Sequence, residues 1–263
     1  MRKRRAGRRG AAGLLAALVL LLAADAALFY MAGIPRVESA VEQKQWEGLD
    51  LLKKYRENPD MIGWLQVEGT AINYPVMGSD AYLHRNFAGD RDESGSLFVQ
   101  DEWSTDDPCT LIYGHNMWMY GTMFNPLHNF AEGDFFRRNR TIRFYAIGDG
   151  GLSAEKRTYE IIYCIRTRVD EWNYASCRYI CSGEELDAFA SECAGRAVQK
   201  REPAESGEEE ENGCGNLIVL STCSYHVSGD KGRLLVVGKL TDRREQTRID
   251  VEQQKNRASA DKN

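Results

Sequence analysis

One apolar run of this chain ends in a cysteine and the next opens on an arginine. Leu217-Ile218-Val219-Leu220-Ser221-Thr222-Cys223 has the pattern of a buried strand, and Arg233 heads the run Leu234-Leu235-Val236-Val237. A third reactive group, His115, stands just past Thr110-Leu111-Ile112-Tyr113, within Tyr113-Gly114-His115-Asn116-Met117. The chemistry these side chains allow is acyl transfer. A thiolate attacks an amide carbonyl well, but an ordinary thiol, with a pKa of about 8.5, is mostly protonated at neutral pH. An imidazole can hold that proton and later hand it to the departing amine. The negative oxygen of the tetrahedral intermediate then needs a fixed donor, worth roughly 3 kcal/mol in comparable sites. A guanidinium stays charged and can supply it.

Three groups so far apart in sequence need a framework to bring them together. Short runs at 62–67, 71–76, 96–100, 110–113, 141–146, 156–166, 216–221 and 233–240 are strand-like and separated by Gly, Asp and Asn turns. Such a pattern predicts a mainly β fold, with the strands closed or nearly closed into a barrel. Two helices interrupt it. Trp46, Leu49, Leu52 and Tyr55 make one apolar stripe within residues 37–57, which Pro59 stops, so a helix packing on the barrel is expected there. Ser182-Gly183-Glu184-Glu185 is a capping box opening a second helix with Leu186, Phe189, Ala190 and Cys193 on one face. Residues 201–213, rich in Glu, Gly and Ser, are expected to form a mobile acidic loop behind it.

On these residues the chain resembles the sortases, and among them class B. The motifs that carry the resemblance are Leu220-Ser221-Thr222-Cys223, the stretch from Arg233 to Lys239, and Tyr113 to Met117. Upstream it extends through Asn58-Pro59-Asp60, Gly63-Trp64-Leu65, Gly69-Thr70, Tyr74-Pro75-Val76 and Gly95-Ser96-Leu97-Phe98, so it covers nearly everything from about residue 45 to 240. Each motif alone is weak; their order and spacing together are specific. The resemblance implies an eight-stranded β-barrel with N-terminal helices and a helix in the connection between the sixth and seventh barrel strands, flanking the substrate groove. It implies a cysteine transpeptidase in which Cys223 is the nucleophile, His115 the acid and base, and Arg233 the oxyanion donor, the peptide clamp, or both. Thr222 matches a family residue that contacts substrate, and Ser221, Asn116 and Tyr225 are further candidates for the groove. Where some class B members carry an acidic residue after the cysteine, this chain has Ser224 and Tyr225.

By the same resemblance the partners are the sorting-signal peptide of secreted surface proteins and an amine of the cell wall, a peptidoglycan cross-bridge or lipid II, with no metal or organic cofactor. Polymerisation onto a pilin lysine and hydrolysis by a cysteine endopeptidase use the same site and stay open. A non-enzymatic, membrane-anchored surface scaffold is the reading that substitution of Cys223 would separate.

The rest of the sequence sets the compartment. A chain of 263 residues, 43% hydrophobic and with net charge -5, can bury one sizeable core and shows no bias toward nucleic acid. Arg2, Lys3, Arg4, Arg5, Arg8 and Arg9 precede the apolar stretch Ala11 to Gly33, long enough to span about 30 Å of hydrocarbon. The positive-inside rule then places residues 1–10 in the cytoplasm, the anchor at 11–33, and the rest of the chain outside the cell membrane. A cleaved signal peptide, with Leu14 to Leu22 as its apolar region and Ala24-Asp25-Ala26 as its cleavage site, is the competing reading, and both export the domain. The expected layout continues with a helical region at 34–58, the catalytic barrel at 59–241, and a polar, disordered tail at 242–263.

Of the seven cysteines, Cys109 and Cys164 sit in apolar runs as small buried hydrophobes, and a bridge among Cys177, Cys181, Cys193 and Cys214 stays open. His226 reads as a loop residue at the groove mouth rather than a metal ligand with Cys214, because the spacing fits no common zinc pattern. His84 and His128 stand in polar, turn-like stretches and read as solvated.

Overall fold

The computed structural model describes residues 49–100, 103–148, 151, 153–201, 216–225 and 230–246. Its strands are β1 (Met61–Val67), β2 (Asn73–Met77), β3 (Leu97–Phe98), β4 (Cys109–Tyr113), β5 (Asn116–Met117), β6 (Thr122–Met123), β7 (Thr141–Gly148), β8 (Ser153–Arg168), β9 (Ala197–Lys200), β10 (Leu217–Cys223) and β11 (Gly232–Gln246). Eight of them form a ring in the order β11, β10, β4, β3, β2, β1, β7, β8, closed by the pairing of β8 with β11. The pairs β4–β10 and β2–β3 are parallel and the others in the ring antiparallel, so the barrel is mixed. Each expected run falls on one ring strand. The sequence pattern missed β9, which continues the sheet from the other edge of β8 and is half-exposed with little apolar content, and the small ribbon β5–β6.

Period-two alternation builds the core. On β7, Ile142, Phe144 and Ala146 join the interior cluster, while Tyr145 and Ile147 join an outer one. On β10, Ile218 and Leu220 point in, and Leu217 and Val219 point out into a second outer cluster with Cys109, Leu111, Leu235 and Val237. Both faces of these strands are therefore covered, which is why they read as continuous apolar runs.

Helices supply the covers. The first, α1 (Leu49–Glu57), is continued by Asn58 and stopped by Pro59. It buries Leu51 and Leu52, with Tyr55 packed beside Leu51 on the cluster of Trp64, Met77 and Tyr145. Another, α2 (Gly133–Arg138), buries Phe136 in the interior cluster. The third, α3 (Gly183–Arg196), starts as the capping box predicts: the Ser182 hydroxyl accepts from Glu185 N at 3.2 Å. The Glu185 carboxylate reaches back one residue further, to Cys181 N at 2.9 Å. Leu186, Phe189 and Cys193 form its buried face and cover the outer cluster on β4, β10 and β11.

The last strand runs past the boundary expected at 241. Asp242 to Gln246 of β11 still pair with Thr158 to Ala154 of β8. This extension is polar, so hydropathy does not signal it; opposite charges carry it, with Arg243 ion-paired to Glu155 across the ladder and Glu155 also bound to Arg157. The anchor or signal peptide at 11–33, the acidic loop at 202–213, Cys214, His226 and the tail beyond Gln246 lie outside the described residues. Among the described residues no helix is long and apolar enough to cross a membrane.

Candidate active site

The candidate nucleophile is placed by strand alternation. Cys223 continues the outward series Leu217, Val219, Ser221, and Arg233 continues the outward series Val237, Leu235 on the neighbouring strand. The two residues are register partners across the antiparallel β10–β11 pair. Where the covering helices end, this face opens, and Cys223 is half-exposed at the last residue of its strand.

Parallel pairing brings the histidine alongside. Ser221 of β10 is opposite Tyr113 of β4, Gly114 N donates to Ser221 O at 3.2 Å, and the Thr222 hydroxyl donates to Gly114 O at 2.8 Å. His115 therefore leaves β4 level with Cys223. Gly114 has to be glycine: a Cβ there would lie 2.5 Å from Leu97 Cδ2 and 2.7 Å from Phe124 Cδ2. His115 Nε2 is 2.8 Å from the carbonyl of Leu83, and its ring stacks on His84 at 5.3 Å. A carbonyl only accepts, so the bond requires a hydrogen on Nε2 and leaves Nδ1 as the nitrogen that takes up a proton.

Arg233 is anchored by its own loop. Its Nη1 donates to Asp230 O at 2.5 Å and to Gly232 O at 2.9 Å. That loop is tied to the end of β8, where Asp170 binds both Arg168 and Lys231. The pair of cations holds the Asp170 carboxyl well below the usual carboxylate range, Arg168 contributing most.

The remaining candidates fall in different places. Ser221 and Thr222 are buried beneath the site, at 1% and 2% exposure, and the Ser221 hydroxyl shares a 3.0 Å hydrogen bond with the Tyr174 hydroxyl. Asn116 is buried too, with its amide on the carbonyl of Cys223 at 3.0 Å. Tyr225 is exposed at the surface. His84 and His128 are not simply solvated: the first stacks on His115, and Nε2 of the second lies 3.1 Å from Cys223 O. Tyr174 and His128 had no local signal, since their partners are 47 and 95 residues away.

Among the cysteines, Cys109, Cys164, Cys177 and Cys193 are buried and free, and Cys181 is free and exposed. Burial pushes the Cys164 thiol up to about 12. Cys109 also lies well above the ordinary thiol range, first because its thiol is hydrogen-bonded to that of Cys177 and then through burial.

A closed eight-stranded mixed barrel with a cysteine, a histidine and an arginine at one end defines a cysteine transpeptidase of the sortase type. Comparison with known proteins agrees. The chain is 30% identical over 190 residues to sortase B of Listeria monocytogenes, covering 70% of each chain. It is 24% identical over 201 residues to sortase B of Staphylococcus aureus, covering 74% of each. Among solved structures it superposes on Clostridium perfringens sortase B with a TM-score of 0.61 at 29% identity, covering 72% of this chain and 98% of that one. It also superposes on a Streptococcus pyogenes class B sortase involved in pilus biogenesis, with a TM-score of 0.57 at 27% identity, covering 72% and 96%. No protein-family model matches the chain. The chain belongs to the sortase B family.

Proposed function

We propose that this enzyme cleaves a C-terminal sorting motif of secreted proteins and joins the new carboxyl end to an amine of the cell wall. The observation that carries the reading is the convergence of Cys223, Arg233 and His115 on one end of the barrel through the β10–β11 and β4–β10 ladders. The Cys223 thiolate adds to the peptide carbonyl, and Arg233 faces the oxygen that becomes negative. His115, through Nδ1, protonates the departing amine, and the peptide is left as a thioester on Cys223. An incoming amine loses its proton to His115 and displaces the thiolate, which restores the enzyme. Thr222, Ser221, Asn116 and Tyr225 shape the groove in this reading, the first three from beneath. The apolar N-terminal segment exports the domain and holds it at the membrane.

A second reading, transfer to a pilin lysine, is favoured by the likeness to the Streptococcus pyogenes enzyme of pilus biogenesis and differs only in the nucleophile. Intact-mass measurement tests both: the purified protein is incubated with sorting-signal peptides, with and without oligoglycine, diamino-acid or lysyl-peptide amines. An acyl adduct on Cys223 that passes to the amine is expected, and the preferred amine separates wall from pilus. An adduct resolved only by water would replace transpeptidation with hydrolysis.

A further inference from the structure

We infer that His128 is a positioning residue for the nucleophile, acting with Asn116 as a two-donor clamp on the carbonyl oxygen of Cys223. The inference rests on Cys223 being the nucleophile of the reading above. Asn116 Nδ2 lies 3.0 Å from Cys223 O and His128 Nε2 lies 3.1 Å from it, while the two nitrogens are 3.1 Å apart. Asn125 Nδ2 donates to Asn116 Oδ1 at 2.7 Å, which fixes the amide with its NH2 group toward Cys223. A carbonyl offers only lone pairs. The two tautomers satisfy different contacts: an unprotonated Nε2 accepts from Asn116 Nδ2 but sets its lone pair against that of the Cys223 carbonyl, whereas a hydrogen on Nε2 turns both nitrogens into donors to that one oxygen, and the clamp is the second arrangement. Two N–H groups then converge on one oxygen, which has two lone pairs to receive them.

The place of the clamp explains the need for it. Along this edge of β10 the parallel ladder ends with Gly114 N on Ser221 O. The next carbonyl in line is that of Cys223, and side chains supply the donors the backbone of β4 no longer provides. A strand-end residue held by its carbonyl keeps its backbone angle, and with it the bearing of its side chain. The stretch from His115 to His128 thus carries both the proton-transfer group and both donors of the nucleophile's clamp.

The test uses the full chain with His128→Leu, which removes the donor, and His128→Gln, which restores an N–H. Alkylation by iodoacetamide is mapped at Cys223 and, as an internal reference in the same molecule, at the exposed Cys181. His128→Leu should slow Cys223 relative to Cys181, and lower kcat of peptide cleavage, by about tenfold each with KM little changed, and His128→Gln should recover to within about threefold. Wild-type values for both in His128→Leu would overturn the clamp, as would a His128→Gln variant no better than His128→Leu with an equal loss of Tm in both, which marks plain packing. Long-range 15N NMR of the wild-type imidazoles gives a reading without any variant: His128 should show the Nε2–H form, and the Nδ1–H form would overturn the inference. The alkylation ratio needs no peptide, so it decides the clamp even if no sorting peptide acylates the enzyme and the functional reading falls.

Discussion

Cys223 and Arg233 face each other as a non-hydrogen-bonded pair of the β10–β11 ladder. The adjacent pair, Ser224 and Gly232, makes the hydrogen bond, from Ser224 N to Gly232 O at 2.9 Å. In antiparallel sheets such non-bonded partners have Cα atoms about 4.5 Å apart, and their side chains lean together on one face. Register sets the two side chains next to each other on one face, and the Asp230 and Gly232 carbonyls hold the guanidinium.

Arg233→Ala should lower single-turnover acylation by about a hundredfold or more, the scale of losing one fixed oxyanion donor. Arg233→Lys keeps a charge but loses the planar fork that reaches the Asp230 and Gly232 carbonyls while still facing the site, and should recover only part of the rate. Full activity in the lysine variant would show that a point charge suffices.

The buried bond between Tyr174 and Ser221 joins the segment beneath α3 to the strand carrying Cys223. Tyr174→Phe and Ser221→Ala should each destabilise by about 1 kcal/mol, and the double variant by much less than the sum. Additive losses in urea melts would contradict a shared bond.

Thiol accessibility should split the described cysteines cleanly. Cys181 and Cys223 should label in the native protein, while Cys109, Cys164, Cys177 and Cys193 should label only on unfolding, as read by peptide mapping. The raised thiols also set a pH trend. The folded chain keeps protons on Cys109 and Cys164 that the unfolded chain releases above about 8.5, so stability is unaffected below that pH and declines as pH rises past it. A stability plateau through pH 10 would contradict this.

Asp170 gives the opposite trend. Its carboxyl is depressed by Arg168 and Lys231, so its contribution is present above the usual carboxylate pKa of about 3.9 and is lost as pH falls below it. Asp170→Asn should lower Tm at neutral pH, and the gap to wild type should close on acidification. A gap independent of pH would assign the effect to something other than the ion pairs.

What the sequence revealed and what it hid follow from one distinction. Strands buried on both faces, such as Leu217–Cys223, announce themselves as apolar runs, and Cys223, Arg233 and His115 stand out as candidates at their ends because such types are rare in these settings. The capping box at Ser182 was legible because its partners are local. Elements held by polar contacts were not: β9 and the charged end of β11 carry no hydropathy signal. His128 appeared solvated because the carbonyl it meets belongs to a residue 95 positions away. Ser221 and Thr222 lie beneath the surface of the site, and their partners, Tyr174 and Gly114, are 47 and 108 positions away and leave no local trace in the sequence.

The parallel pairing of β4 with β10 also bears on when reactivity appears. Parallel neighbours cannot be joined by a tight turn, and here the Thr222–Gly114 contact spans 108 positions. Contacts of such long sequence separation form slowly, after the cost of closing a large loop has been met. A nascent chain thus exposes His115 long before the strand that bears Cys223 has emerged, and Cys223 comes level with Arg233 and His115 only when the ring closes. Topology thus sets the order of assembly, leaving this end of the barrel incomplete until nearly the whole domain has been made.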